Sequence, residues 1–157
     1  MAEFPTFCMD RFEAPNRQGE RPLTGKTAFE GEAYCVSQGK ELCDEEQWMQ
    51  SCSGAPGTEP RAFPYGAEYD RGRCNDDKTW LVPNWGAIAS FPAARGVAEI
   101  ARLNQSDPSG SRAHCTTPEG VFDLTGNVAE WVRATRPHPN SHPHILKAVS
   151  YTHLRAH

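Results

Sequence analysis

At 157 residues, 38% hydrophobic and 23% charged, the chain has the length of one domain and enough apolar side chains for a core. Sixteen basic and twenty acidic residues give a formal charge of −4 with the signs interspersed, so no basic stripe invites nucleic acid or an anionic membrane. No apolar run reaches the length of a membrane span, and 13 Gly with 13 Pro describe a loop-rich globular chain.

The first predicted helix opens at Thr27, whose hydroxyl caps while Glu30 reaches back in a capping box. Phe29, Ala33 and Val36 fall on one face, and Gly39 supplies the stop. A second opens at Asp44, with Glu45 and Glu46 in the positive first turn and Gln47 at the reciprocal capping position. Trp48, Met49 and Cys52 form its buried side, ending near Gly54. Residues 53–72 read as a long surface loop. Residues 80–91, with two tryptophans and a Pro-Asn pair, suggest short extended pieces. A weak helix is expected over 92–102, and 106–112 reads as a flexible turn. Trp48, Trp85 and Trp131 read as core residues. Short strands, two main helices and abundant loop predict an α+β domain.

Six cysteines (Cys8, Cys35, Cys43, Cys52, Cys74 and Cys115) lie in different segments with no Cys-x-x-Cys pair, which favours disulfides over zinc or redox motifs. Disulfides imply export, yet Met1-Ala2-Glu3 begins no signal peptide, so the expected location is periplasmic or extracellular with the signal missing, or else a cytosol with reduced thiols. His138, His142 and His144 alternate with prolines and read as a solvated loop rather than metal ligands. Asn104-Gln105-Ser106 fits a glycosylation acceptor, a pattern common by chance. No Ser/His/Asp arrangement, phosphate loop or His-Glu-x-x-His motif is present.

The chemistry concentrates in Gly120-Val121-Phe122-Asp123-Leu124-Thr125-Gly126-Asn127-Val128-Ala129-Glu130-Trp131. Asp123, Asn127 and Glu130 surround Gly126, a residue that lets the backbone turn tightly and point carbonyls inward. Such oxygen-rich turns gather the hard ligands that Ca2+ prefers, although the spacing is not that of an EF-hand. The bland alternative is an ordinary turn running into a short helix capped by Asp123 or Asn127.

This segment resembles the Gly-x-Tyr-Asp-Met-x-Gly-Asn-x-x-Glu-Trp signature of formylglycine-generating enzymes, or sulfatase-modifying factors. Gly39-Lys40-Glu41-Leu42 through Trp48, Phe63-Pro64-Tyr65-Gly66 with Arg73-Cys74-Asn75, and Met9-Asp10-Arg11-Phe12-Glu13-Ala14-Pro15-Asn16 resemble further blocks of that family, in its order. The resemblance covers 7–147 and implies the complex variant of the C-type-lectin-like fold. It implies calcium bound by the side chains of Asp123 and Glu130 and by backbone oxygens of Gly126 and Val128. Asn75 matches a side-chain ligand of a second family calcium site, whose aspartate partner is not evident in the sequence.

In the family, cysteines at the Cys35 and Cys52 positions pair with cysteines near the C-terminus. Its activity is a copper-dependent oxidation of a sulfatase cysteine to formylglycine, on a copper(I) held by two cysteines beyond a Gly-Gly-Ser block. None of the six cysteines here occupies those two positions. Residues 148–157 show no periodicity continuing from the domain. They resemble sequencing read-through, so the domain is expected to be incomplete after Lys147 and to have lost a strand hairpin at its start. Copper is therefore expected only in an intact catalytic form, with an unfolded sulfatase peptide or another protein as partner. The competing expectation is a non-catalytic, calcium-stabilised lectin-like binding module of a surface or signalling protein. A related iron-dependent sulfoxide synthase would need a His-x-x-x-His-x-Glu site that the chain lacks.

Overall fold

A computed structural model describes residues 1–136 and 142–148. Among the described residues, two minimal sheets and four helices make an α+β domain held together largely by loops. Strands β1 (Ala2–Glu3) and β2 (Cys8–Met9) pair antiparallel, Ala2 opposite Met9. Helices α1 (Ala28–Ser37), α2 (Glu45–Ser53), α3 (Trp85–Ile88) and α4 (Ala94–Leu103) follow, then the antiparallel pair β3 (Glu130–Arg133) and β4 (His144–Lys147).

Both capping boxes form as the sequence predicts. Thr27 Oγ1 accepts from the Glu30 amide while the Glu30 carboxylate accepts from the Thr27 amide; Asp44 and Gln47 do the same for α2. The helices differ in what they bury. α2 drives Trp48 and Cys52 into the core beside Ala2, Met9, Val121, Leu124 and Val132, while Met49 faces out. α1 buries no residue fully. Phe29 and Val36, on its expected apolar face, are 71% and 64% exposed.

Residues 80–91 hold no strand. Asn84 caps α3 by accepting from the Ala87 amide, and a side-chain cap of that kind selects a turn of helix over extended chain. Trp85 is exposed on it rather than in the core. α4 appears where a weak helix was expected, displaced past Pro92, and it is inverted. Its buried residues are Gly96 and Glu99, and Val97 faces solvent. Gly96 permits a close approach, because a Cβ there would lie 2.6 Å from the Phe91 nitrogen. Glu99 accepts from the Asn84 amide and binds Arg102, which ties α4 to α3.

The 53–72 segment is mostly exposed but not loose. Phe63 and Pro64 are buried, and Arg61 grips the Ser51 carbonyl and the Glu119 carboxylate. Two cysteines, Cys74 and Cys115, are joined in a disulfide; Cys8, Cys35, Cys43 and Cys52 are free thiols. His142 is exposed and His144 faces Glu32 at 3.5 Å. His138, His153 and His157 and most of the suspect tail lie outside the described residues.

Candidate metal centre

The oxygen-rich turn is a loop of left-handed residues. Asp123, Gly126 and Asn127 have φ of 63°, 76° and 51°, so three positions within five reverse the chain sharply. Gly126 is glycine for a second reason. A Cβ there would sit 2.3 Å from the Asn75 carbonyl oxygen, with which this loop makes a bridge. The segment does not continue into a helix: Glu130 opens strand β3, pinned by pairing with β4.

The loop is fastened from every side. The Asp123 amide donates to the Cys115 carbonyl at 3.0 Å, and Asp123 Oδ2 accepts from the Gly110 amide at 2.7 Å. The Asn127 amide group is fully engaged. Its oxygen accepts from Asn75 Nδ2 and the Asp107 amide, and its nitrogen donates to Glu13 Oε2 and the Asp107 carbonyl. Glu13 also accepts from Ser109 Oγ and the Val128 amide. Glu130 Oε2 accepts from Trp48 Nε1. Lys78 Nζ donates to the Asn127 carbonyl at 2.8 Å.

Burial dominates the electrostatics. Desolvation, then the Glu130 charge, pushes the Glu13 carboxyl up to about 8 despite the Ser109 and Asn127 donors. Desolvation likewise pushes Glu130 up to about 7, against the Trp48 donor. Asp123 is raised by burial more than the Gly110 amide lowers it. Burial lowers the Lys78 ammonium, and the charges of Asp107 and Glu13 oppose that. Among the described residues, no Lys, Arg or His forms an ion pair with Glu13, Asp123 or Glu130. Glu130 is half-buried, and its remaining surface opens into two cavities of about 500 and 440 Å³ that it lines with Glu13, Tyr34 and Trp131.

Of the sequence-predicted ligands, Asp123, Gly126, Val128 and Glu130 share this one loop, and the Asn75–Gly126 bridge brings Asn75 against it. The Asn75 side chain spends its nitrogen on the Gln105 carbonyl and Asn127. The acid absent from the sequence reading is Asp107: its backbone brackets Asn127 opposite Asn75, and its carboxylate holds Arg112 at 2.9 Å. Residues 106–112 are therefore an inner wall of the site, with Ser106, Ser109 and Gly110 buried, rather than a flexible turn. Glu13 and Lys78 were also missed. A lone glutamate in Met9-Asp10-Arg11-Phe12-Glu13-Ala14-Pro15 carries no periodic signal, and only side-chain contacts 96 or more residues apart reveal its role.

Among the described residues, no three His, Cys, Asp or Glu side chains stand close enough to hold a metal by themselves. A cation here has to draw on carbonyl oxygens as well as on Asp123 and Glu130, which is the coordination of a hard ion. Burial pushes the Cys43 and Cys52 thiols up to about 12 and raises that of Cys35.

A small α+β domain organised around a buried, oxygen-rich turn is the class that this fold and loop define. The chain matches the sulfatase-modifying factor enzyme 1-like domain over residues 4–153 and belongs to that family. It is 25% identical over 136 residues to the "Inactive C-alpha-formylglycine-generating enzyme 2" of Bos taurus, covering 84% of this chain and 39% of that protein. It is 28% identical over 134 residues to the "Hercynine oxygenase" of Mycolicibacterium smegmatis, covering 84% of this chain and 26% of that protein. A "Serine/threonine-protein kinase pkn1" of Chlamydia caviae is 27% identical over 113 residues, covering 71% and 13%. The chain thus spans well under half the length of these relatives.

Proposed function

We propose that this chain is the cation-binding scaffold of a formylglycine-generating-enzyme-like protein, with Ca2+ held by Asp123 and Glu130 and by backbone oxygens of Gly126 and Val128. The observation that carries this reading is a set of three acids, buried Glu13 and Asp123 with half-buried Glu130, that no Lys, Arg or His among the described residues pairs with. Buried carboxylates without a counter-ion either stay protonated or recruit a cation, and a loop of left-handed residues supplies the carbonyls that Ca2+ needs. Asn75, facing Asp107 across Asn127, is the place for a second and weaker ion. The lectin-like variant of the α+β fold belongs to the same reading. The buried Cys74–Cys115 disulfide favours an exported protein, and no helix among the described residues is long and apolar enough to cross a membrane.

Oxidation of a sulfatase cysteine, with an unfolded sulfatase peptide as partner, is the activity an intact homologue would carry. No step is assigned to the free thiols Cys8, Cys35, Cys43 and Cys52. A relative named as inactive supports the second reading, a calcium-stabilised binding module without catalysis.

Titration with Ca2+, followed by calorimetry and thermal melting, tests the cation. The wild-type chain is expected to melt higher as Ca2+ rises, by an amount that follows ligand mass action. Glu130→Gln should lose most of that shift. Equal shifts in both proteins would remove Glu130 from the site, and no binding at all would overturn the calcium reading.

A further inference from the structure

We propose that the Cys74–Cys115 disulfide is the positioning device of the cation loop, so that the site reaches full affinity only in the cross-linked chain. This rests on the calcium reading above. Cys74 is 0% exposed and Cys115 2%, and the two are 41 residues apart in sequence. One half of the bridge, Cys74, is the immediate neighbour of an attachment of the loop, and the other, Cys115, is itself an attachment.

On one side, Asn75 follows Cys74. Its carbonyl accepts from the Asn127 amide at 3.0 Å, its side chain donates to the Asn127 oxygen, and its backbone bridges Gly126 so closely that no Cβ fits. On the other side, the Cys115 carbonyl accepts from the Asp123 amide at 3.0 Å. Its Sγ, oxidised and without a proton to donate, lies 3.8 Å from the Thr125 carbonyl. The Thr116–Phe122 bridge and the Thr117–Val121 hydrogen bonds close the short loop between Cys115 and Asp123.

Asp123, which carries a ligand carboxylate, is therefore hung from Cys115. Gly126 and Asn127, which set the direction of the ligand carbonyls, are hung from Cys74 by way of Asn75. The disulfide fixes these two suspension points relative to each other. Without it, the 72–75 segment and the 112–117 segment would lose their covalent tie, and coordination would have to order both. That ordering is a cost charged to binding.

Removing a disulfide that only stabilises the fold lowers the melting temperature with and without Ca2+ by the same amount, and leaves affinity unchanged. Removing a positioning disulfide lowers affinity as well. The experiment compares calorimetric Ca2+ affinity and the Ca2+-induced melting shift in wild type, in Cys74→Ser/Cys115→Ser, and in Arg102→Ala. The last is destabilised in α4, away from the loop. The double variant is expected to bind Ca2+ roughly tenfold more weakly and to show a smaller melting shift, while Arg102→Ala keeps wild-type affinity. If the serine pair fails to fold, Cys74→Val/Cys115→Ala refills the dry site with apolar atoms and carries the same comparison. Undiminished affinity in a folded double variant overturns this proposal and leaves the calcium reading standing. Absence of Ca2+ binding by the oxidised wild type overturns both.

Discussion

Residue by residue, the loop tolerates little change because its positions are constrained twice. Gly126 needs φ near 76°, which costs a side-chain-bearing residue about 1 kcal/mol or more, and it also needs the space that the Asn75 carbonyl occupies. Gly126→Ala is expected to destabilise the chain by roughly 2–4 kcal/mol and to remove Ca2+ binding, as chemical denaturation and calorimetry would show. A loss under 1 kcal/mol would mean that the Asn75 bridge is weaker than its geometry. Asp123 and Asn127 occupy the same left-handed region as non-glycines, at the positions the sequence already marked. Short polar side chains that bond locally make that conformation affordable, and here those side chains bond across the domain instead.

Local signals fix where the helices begin, and only packing decides what each is worth. Thr27 and Asp44 make equivalent capping boxes, each worth about 1 kcal/mol in an isolated helix. α2 carries Trp48 and Cys52 into the core, so loss of its cap is felt by the whole domain; α1 buries no residue fully. Asp44→Ala should therefore lower the melting temperature clearly. Thr27→Ala should mainly speed amide exchange at the start of α1. Equal melting shifts in the two variants would show that α1 is a structural equal of α2. α4 was legible as a helix but not as an inverted one. Its apolar residues are spaced to suggest a buried face, yet Glu99 is captured by the Asn84 amide and Arg102 and turns inward.

At the scale of the molecule, regular structure among the described residues is too sparse to hold the domain, and long-range side-chain bonds and the Cys74–Cys115 link take over. Closing a loop of 41 residues removes about 4 kcal/mol of chain entropy from the unfolded state, a large share of the stability of a domain this size. Glu45, buried in α2, accepts from Lys147 at the end of β4, and Glu13 near the N-terminus holds Asn127 and Val128. Native-state hydrogen exchange should therefore show its strongest protection in α2, β3 and the amides of Asp123 and Asn127, and its weakest in α1. Protection of α1 as strong as that of α2 would contradict this ordering.

The sequence by itself determined the caps at Thr27 and Asp44, the turn at Gly126, the family through its ordered blocks, and the α+β class. These are short-range or motif-borne features, encoded in residues that are neighbours along the chain. The tertiary structure alone decided that Cys74 pairs with Cys115, that Glu13, Asp107 and Lys78 surround the loop, and that α1 and Trp85 stay outside the core. Each of these depends on contacts between distant segments, where burial and unpaired charge, not spacing, set the energy.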